Sequence, residues 1–210
     1  MRQPPAERVF LEGPAGPIEA LVETAATPVP GIVAVCCHPH PLFGGTMQNK
    51  VVHTLARAAL DLGVPAVRFN FRGVGGSAGR YDHGDGEAED ALAVADWASD
   101  RFGARRLWAT GFSFGSFIAY ALARQRQAER LVTVAPPVQR FDFSRLPPPG
   151  CPWLVVQGDQ DELVNHEAVV HWTRTLAAPP RVEIFPGADH FFHGRITELR
   201  ETVRGWLAHG

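Results

Sequence analysis

The five residues Gly111-Phe112-Ser113-Phe114-Gly115 constrain this chain more than any other stretch. They follow the apolar run Leu107-Trp108-Ala109-Thr110 and precede Phe117, Ile118, Ala121 and Leu122, which recur at helical spacing. A strand, a sharp turn and a helix therefore follow one another directly. At such a turn the serine hydroxyl is lifted clear of the sheet, and the tight backbone leaves no room for side chains at the flanking positions. Gly111 and Gly115 supply those two bare positions.

The rest of the chain repeats the alternation. Residues 31–37 are a continuous apolar run, as expected of a strand buried on both faces of a mostly parallel sheet. Runs at 64–71, 131–135, 153–157 and 181–185 read the same way. Between them, helical patterns run from about Thr46 to Gly63, over 87–102, over 167–176, and through Ile196, Leu199, Val203 and Leu207. Residues 7–23 alternate and break at Gly13-Pro14-Ala15-Gly16-Pro17, which predicts an antiparallel edge hairpin within the first 24 residues. These elements predict one α/β domain over residues 1–210, a mostly parallel twisted sheet with helices on both faces. A chain of 210 residues can bury a sufficient core without disulfides or metals. The Pro-rich connection at 136–150 is too short and too rich in breakers to form a helical lid domain.

Charge and cysteine usage narrow the function classes. With 20 Lys+Arg against 22 Asp+Glu the net charge is −2 and no basic stripe stands out, which argues against nucleic acid as a partner. The segment Met1 to Arg8 has no apolar stretch behind its charge and no long apolar run follows, so neither a signal peptide nor a membrane span is expected. Cys36 and Cys37 are adjacent on one strand and must point to opposite faces, and Cys151 lies beside Pro152. An odd count of three reads as buried, inert thiols in a reducing compartment, which makes the cytoplasm the expected location.

In a parallel sheet, ligands gather at the carboxyl ends of the strands. Four loops there carry candidate residues: 38–45, 111–115, 158–162 and 187–193. They bring Ser113, Asp161 and His190 in the chain order Ser, Asp, His. From about Gly31 onward the chain resembles the α/β-hydrolase superfamily, specifically its small lidless branch related to dienelactone hydrolases and small bacterial carboxylesterases. The run from His38 through Pro39, His40, Pro41, Leu42, Phe43, Gly44, Gly45, Thr46, Met47, Gln48 and Asn49 to Lys50 resembles a signature loop of that branch. The resemblance implies Ser113 as nucleophile, Asp161 as acid and His190 as base, matching the nucleophile elbow at 111–115, the Gly-Asp-x-Asp loop and the Gly-x-x-His loop. It also implies a serine hydrolase of small carboxylic esters, and no cofactor is expected. Thioesterase, lactone hydrolase and peptidase activity use the same triad, and a non-catalytic ligand-binding protein is the alternative from another class.

The chemistry supports these roles. A serine hydroxyl needs a base to take its proton, an imidazole with a reference pKa of about 6.5 suits the task, and a carboxylate on the far ring nitrogen sets the tautomer. Asp159 and Asp189 compete for the acid role, but read more simply as braces of their own turns. The developing oxyanion needs two backbone donors, one being Phe114. Pro39 and Pro41 have no N–H, which leaves His40 or Leu42 for the second. The resemblance favours His40, which stands two past the strand-end His38 as in the His-Gly-x arrangement common in the superfamily. Phe43, Phe112 and Phe191 are expected to line an apolar substrate pocket. His38, His40, His53 and His83 lack a metal-ligand spacing and read as loop hydrogen-bonders or surface residues. Gly73-Val74-Gly75-Gly76-Ser77-Ala78 fits a dinucleotide pattern, but no helix pattern follows it, so a turn beside a buried Arg72 is the better account. No surface pattern in the sequence decides the oligomeric state.

Overall fold

A computed structural model describes residues 6–209. Residues 1–5, part of the expected hairpin segment, lie outside the described residues. The apolar run after Gly31 becomes β3 (Ile32–Cys37), buried along its whole length. Its side chains alternate: Val33, Val35 and Cys37 enter one hydrophobic cluster, and Ile32, Ala34 and Cys36 the other. Two cores, one on each face of a single sheet, follow from that strand period. Burying a Val or Ile side chain contributes roughly 1.5–3 kcal/mol, so the uninterrupted apolar run is what holds this strand in the middle.

The sheet has eight strands in the order β1-β2-β4-β3-β5-β6-β7-β8. The hairpin strands β1 (Glu7–Gly13) and β2 (Gly16–Glu23) pair antiparallel, and β2 pairs antiparallel with β4 (Ala66–Phe69). The remaining pairings, through β5 (Arg106–Phe112), β6 (Arg130–Val134), β7 (Trp153–Gly158) and β8 (Arg181–Phe185), are parallel. Helices α2 (Asp85–Phe102), α3 (Phe114–Gln125) and α4 (His166–Thr175) contribute to the first core. Helices α1 (Lys50–Leu60) and α5 (Ile196–His209) contribute to the second. The expected α/β architecture without a lid domain is present: the helical structure in the connection 136–150 is limited to a short 3-10 turn at Phe143–Arg145.

Two expectations of extent need correction. Helix α1 begins at Lys50, not Thr46, because Asn49 caps it by accepting the N–H groups of Val51 and Val52 at 2.9 and 3.4 Å. Upstream, the Met47 N–H goes instead to Asn70 Oδ1 at 2.9 Å, which holds this segment as a turn. Strand β4 stops at Phe69 because the Phe71 N–H leaves the ladder and donates to His38 Nε2 at 3.0 Å. The glycine-rich stretch after it is a turn: Ser77 Oγ donates to the Asn70 carbonyl, and Glu19 accepts from Gly76 N–H and Asn70 Nδ2. Arg72 is buried as expected, with both Nε and Nη2 on Asp90 of α2.

The order of strands places the crevice. From β3 the chain crosses to β4 on one side, whereas from β5 it crosses to β6 on the other. The loops after β3 and β5 therefore part, and the gap between them at the carboxyl ends is the natural ligand position.

His38 anchors the first of these loops. It is fully buried at the end of β3, packs at 4.4 Å on the Phe71 ring, and its Nδ1 lies 2.6 Å from the Pro39 carbonyl. Because Nε2 must accept the Phe71 N–H, the single proton sits on Nδ1 and donates to Pro39. Burial, the largest influence, lowers its pKa from 6.5 to about 3. The folded imidazole therefore stays neutral over a range in which the unfolded one protonates. His38 contributes stability that is present above pH 6.5 and is lost as pH falls toward about 3. Between pH 7.5 and 5 this loss should amount to about 2 kcal/mol. Urea unfolding of the wild type and His38→Asn at several pH values checks it: the variant should show the shallower pH dependence, and parallel curves would refute a neutral His38.

Candidate active site

Strand β5 ends at Phe112 and helix α3 starts at Phe114, so Ser113 occupies the single residue between them. It is held at φ 53° and ψ −122°, a region that costs of order 1–3 kcal/mol for a residue with a Cβ. Two bonds keep it there: the Ser113 N–H donates to the Val134 carbonyl and its carbonyl accepts from the Ser116 N–H, both at 2.8 Å. The flanking glycines are required by contact. A Cβ on Gly111 would overlap the Gly115 carbonyl, and one on Gly115 would overlap the Cys37 carbonyl of β3. The bare positions read from the sequence are thus where three backbone segments touch.

His190 comes from the loop after β8 and Asp161 from the loop after β7. His190 Nδ1 lies 2.8 Å from Asp161 Oδ2, with both side chains almost completely buried. The His190 N–H also donates to Glu162 at 3.2 Å, which ties the two loops together. Asp161 Oδ1 accepts the N–H groups of Leu163 and Val164, both at 2.8 Å. Burial raises the Asp161 pKa, but the His190 contact and the two backbone donors outweigh it, and the net direction is downward. The carboxylate is held ionised. Asp159 and Asp189 do brace turns: Asp159 accepts the Gly187 N–H at 2.6 Å, and Asp189 accepts the His193 N–H at 3.0 Å.

Ser113, His190, Phe114 and His40 all border one cavity of about 590 Å³. Phe43 and Phe191 also line it. Phe112 does not. It lies fully buried in the core beneath the site, its ring 4.9 Å from that of His190, because it is the last residue of β5 and its side chain points into the sheet layer. Leu42 is a second correction: its side chain stands in solvent, and its N–H is committed to His40 Nδ1 at 3.2 Å. The Phe43 and Gly45 N–H groups go to the His40 carbonyl. The His40 N–H has no acceptor among the described residues, and Phe114 carries the first amide of α3, which has no partner within the helix.

Sequence reasoning missed two groups. Pro137, Arg140 and Phe141 line the cavity from the loop after β6, which is not among the four loops singled out, and the same strand-end rule would have found it. Gln157 is buried at the end of β7 and donates its amide to Asp161 Oδ2 at 3.0 Å, the oxygen that also faces His190. Its signal was a lone polar residue closing an apolar strand run. The cysteines are chemically quiet: burial pushes Cys36 up to about 12 and Cys151 up to about 11. Among the described residues no cluster of three His, Cys, Asp or Glu side chains could hold a metal ion.

A family model of the alpha/beta hydrolase domain matches residues 42–204. The chain belongs to the α/β-hydrolase family. As a whole this α/β hydrolase superposes on an alpha-beta serine hydrolase homologue from Coxiella burnetii with TM-score 0.93 at 43% identity, covering 99% of this chain and 100% of that one. A lidless α/β serine hydrolase from Xanthomonas campestris gives TM-score 0.91 at 41% identity, covering 98% and 94%. An uncharacterised protein of Rickettsia prowazekii is 36% identical, over 95% of this chain and 88% of its own length. Among the described residues of this α/β hydrolase, no helix is long and apolar enough to cross a membrane.

Proposed function

We propose that the protein is a serine hydrolase that cleaves small carboxylic esters through an acyl-enzyme, with Ser113 as nucleophile, His190 as base and Asp161 as its partner. The observation that carries this reading is the shared cavity bordered by Ser113 and by a His190 whose Nδ1 lies 2.8 Å from Asp161. With Nδ1 committed as donor to the carboxylate, Nε2 is the unprotonated nitrogen and the one available to take the Ser113 proton.

Attack of Ser113 Oγ on the ester carbonyl forms the C–O bond, passes the hydroxyl proton to His190 Nε2 and places negative charge on the carbonyl oxygen. The N–H groups of Phe114 and His40 receive that charge. Collapse breaks the bond to the alcohol, which leaves with the His190 proton. Water then attacks the acyl group, His190 again taking a proton, and the acid departs as Ser113 recovers its own. The absence of a lid domain and the apolar side chains of Phe43, Phe141 and Phe191 suit short acyl chains. A cytoplasmic location is supported by three thiols that form no disulfide.

A fluorophosphonate probe tests the nucleophile directly. The intact protein should be labelled within minutes, with the added mass on the peptide that contains Ser113, and p-nitrophenyl butyrate should compete. Labelling elsewhere, or none, would refute the assignment.

A further inference from the structure

Apart from Ser113 and His190, the polar side chains on the cavity wall are His40, Asn49 and Arg140, and each offers only donors. Asn49 uses its Oδ1 on the Val51 and Val52 N–H groups, so its NH2 is what remains. His40 Nδ1 accepts the Leu42 N–H, so the neutral ring carries its proton on Nε2, which has no acceptor among the described residues. Burial first, then the nearby Arg140 charge, hold the His40 pKa below its usual value and keep the ring neutral. Arg140 forms no ion pair with a carboxylate of the described residues, and the adjacent Asp142 is turned to the Ser144 N–H and hydroxyl. No Asp or Glu lines the cavity.

The wall is built. The Arg140 and Phe141 N–H groups both donate to the Pro137 carbonyl, at 2.9 and 3.1 Å, which shapes the turn after β6. The Phe141 ring then stacks on Phe117 at 5.3 Å and meets Phe114 edge-on at 5.1 Å, so the backbone beside Arg140 is anchored in the core. His40 packs among Phe43, Tyr81 and Phe114 at 4.8 to 5.1 Å. A wholly apolar substrate would cover the half-buried His40 and Asn49 donors without matching them, whereas an anionic end would accept from them, and from Arg140 on the exposed rim, with charge-assisted hydrogen bonds.

We infer that His40, Asn49 and Arg140 form a carboxylate subsite for the acyl part of the substrate, so that the favoured esters are monoesters of aliphatic dicarboxylic acids. This rests on the ester-hydrolase reading above. The acyl side is assigned from packing. His190, which must stand beside the departing alcohol, packs on Phe112 of the second core. Phe141, next to Arg140, packs instead on Phe114 and Phe117 of the first, and the Pro137 to Phe141 wall is left for the acyl chain. Arg140 is the specificity-determining charge and His40 and Asn49 are its neutral helpers.

The test compares p-nitrophenyl hemiadipate with p-nitrophenyl hexanoate, six-carbon acyl chains that end in carboxylate or methyl. Wild-type kcat/KM should favour the hemiadipate at least tenfold at low salt, mainly through KM, and the preference should shrink in 0.5 M NaCl as the charge is screened. In Arg140→Ala the ratio should fall at least tenfold, and Arg140→Lys should restore part of it. A wild-type ratio near or below one, or a ratio unchanged in Arg140→Ala, overturns the subsite while leaving ester hydrolysis intact. If neither ester is turned over, ester hydrolysis itself fails, and the subsite is read separately by calorimetry. Monomethyl adipate should bind Ser113→Ala at least tenfold more tightly than Ser113→Ala/Arg140→Ala, and equal affinities would overturn it.

Discussion

Ser113→Ala is expected to lower kcat for p-nitrophenyl butyrate by a factor of about 10⁴–10⁶, leaving only the residual acceleration of the oxyanion donors and binding. The fold should not change. The Ser113 hydroxyl makes no hydrogen bond among the described residues, so its removal breaks no internal contact, while the backbone bonds to Val134 and Ser116 that hold the turn do not involve the side chain. Alanine keeps the same Cβ at φ 53°, so the strain at this position is neither added nor relieved. The urea midpoint should therefore stay near that of the wild type, and fluorophosphonate labelling should vanish. Turnover within tenfold of the wild type would show that another group performs the chemistry.

Asp161→Asn should lower kcat by about 10⁴ with little change in KM, the size expected when the histidine tautomer is inverted. The reason lies in how the carboxylate is filled. On the Oδ1 side, Leu163 and Val164 present two N–H donors at 2.8 Å, so the asparagine must turn its oxygen that way. Its NH2 then faces His190 Nδ1, which becomes the acceptor, and the ring proton moves to Nε2. That is the atom required to take the Ser113 proton. Gln157, whose amide donates to the same Oδ2, would also meet a donor, so the variant should lose stability as well, by roughly 1–3 kcal/mol for the unmatched buried groups. Steady-state kinetics with p-nitrophenyl butyrate and urea unfolding check the two parts. A loss in kcat below tenfold would refute the role of Asp161.

Much of this site was legible because its signals are local or periodic. The elbow is a contiguous pattern whose glycines answer to backbone sterics, and the alternation of apolar runs with helical stripes names the architecture before any contact is known. The resemblance carried Asp161 and His190 onto two loops, and the structure brings their side chains to 2.8 Å. Phe112 illustrates where this kind of reading stops. Its neighbours Ser113 and Phe114 both border the cavity, yet the side chain of Phe112 turns into the core, because a change of one position at a strand end reverses the direction of the side chain. Leu42 failed for another reason: its N–H was free on paper but is taken by the ring of His40, two residues away.

The sequence by itself determined the strand-turn-helix at Ser113, the mostly parallel sheet with its edge hairpin and the lidless outline. All of these rest on turn sterics and side-chain period, which act over a few residues. Only the tertiary structure decided which amides stay free on the loop after β3, that Gln157 reaches Asp161, and that the loop after β6 sets Arg140 and Phe141 on the cavity wall. The placement of Arg140 and Phe141 depends on where loops distant in the chain meet at the carboxyl ends of the strands, whereas the Leu42 and Gln157 bonds join residues two and four apart and depend on which donor reaches which acceptor. The first is set by the strand order of the sheet and the others by competition for individual hydrogen bonds, which no local pattern encodes.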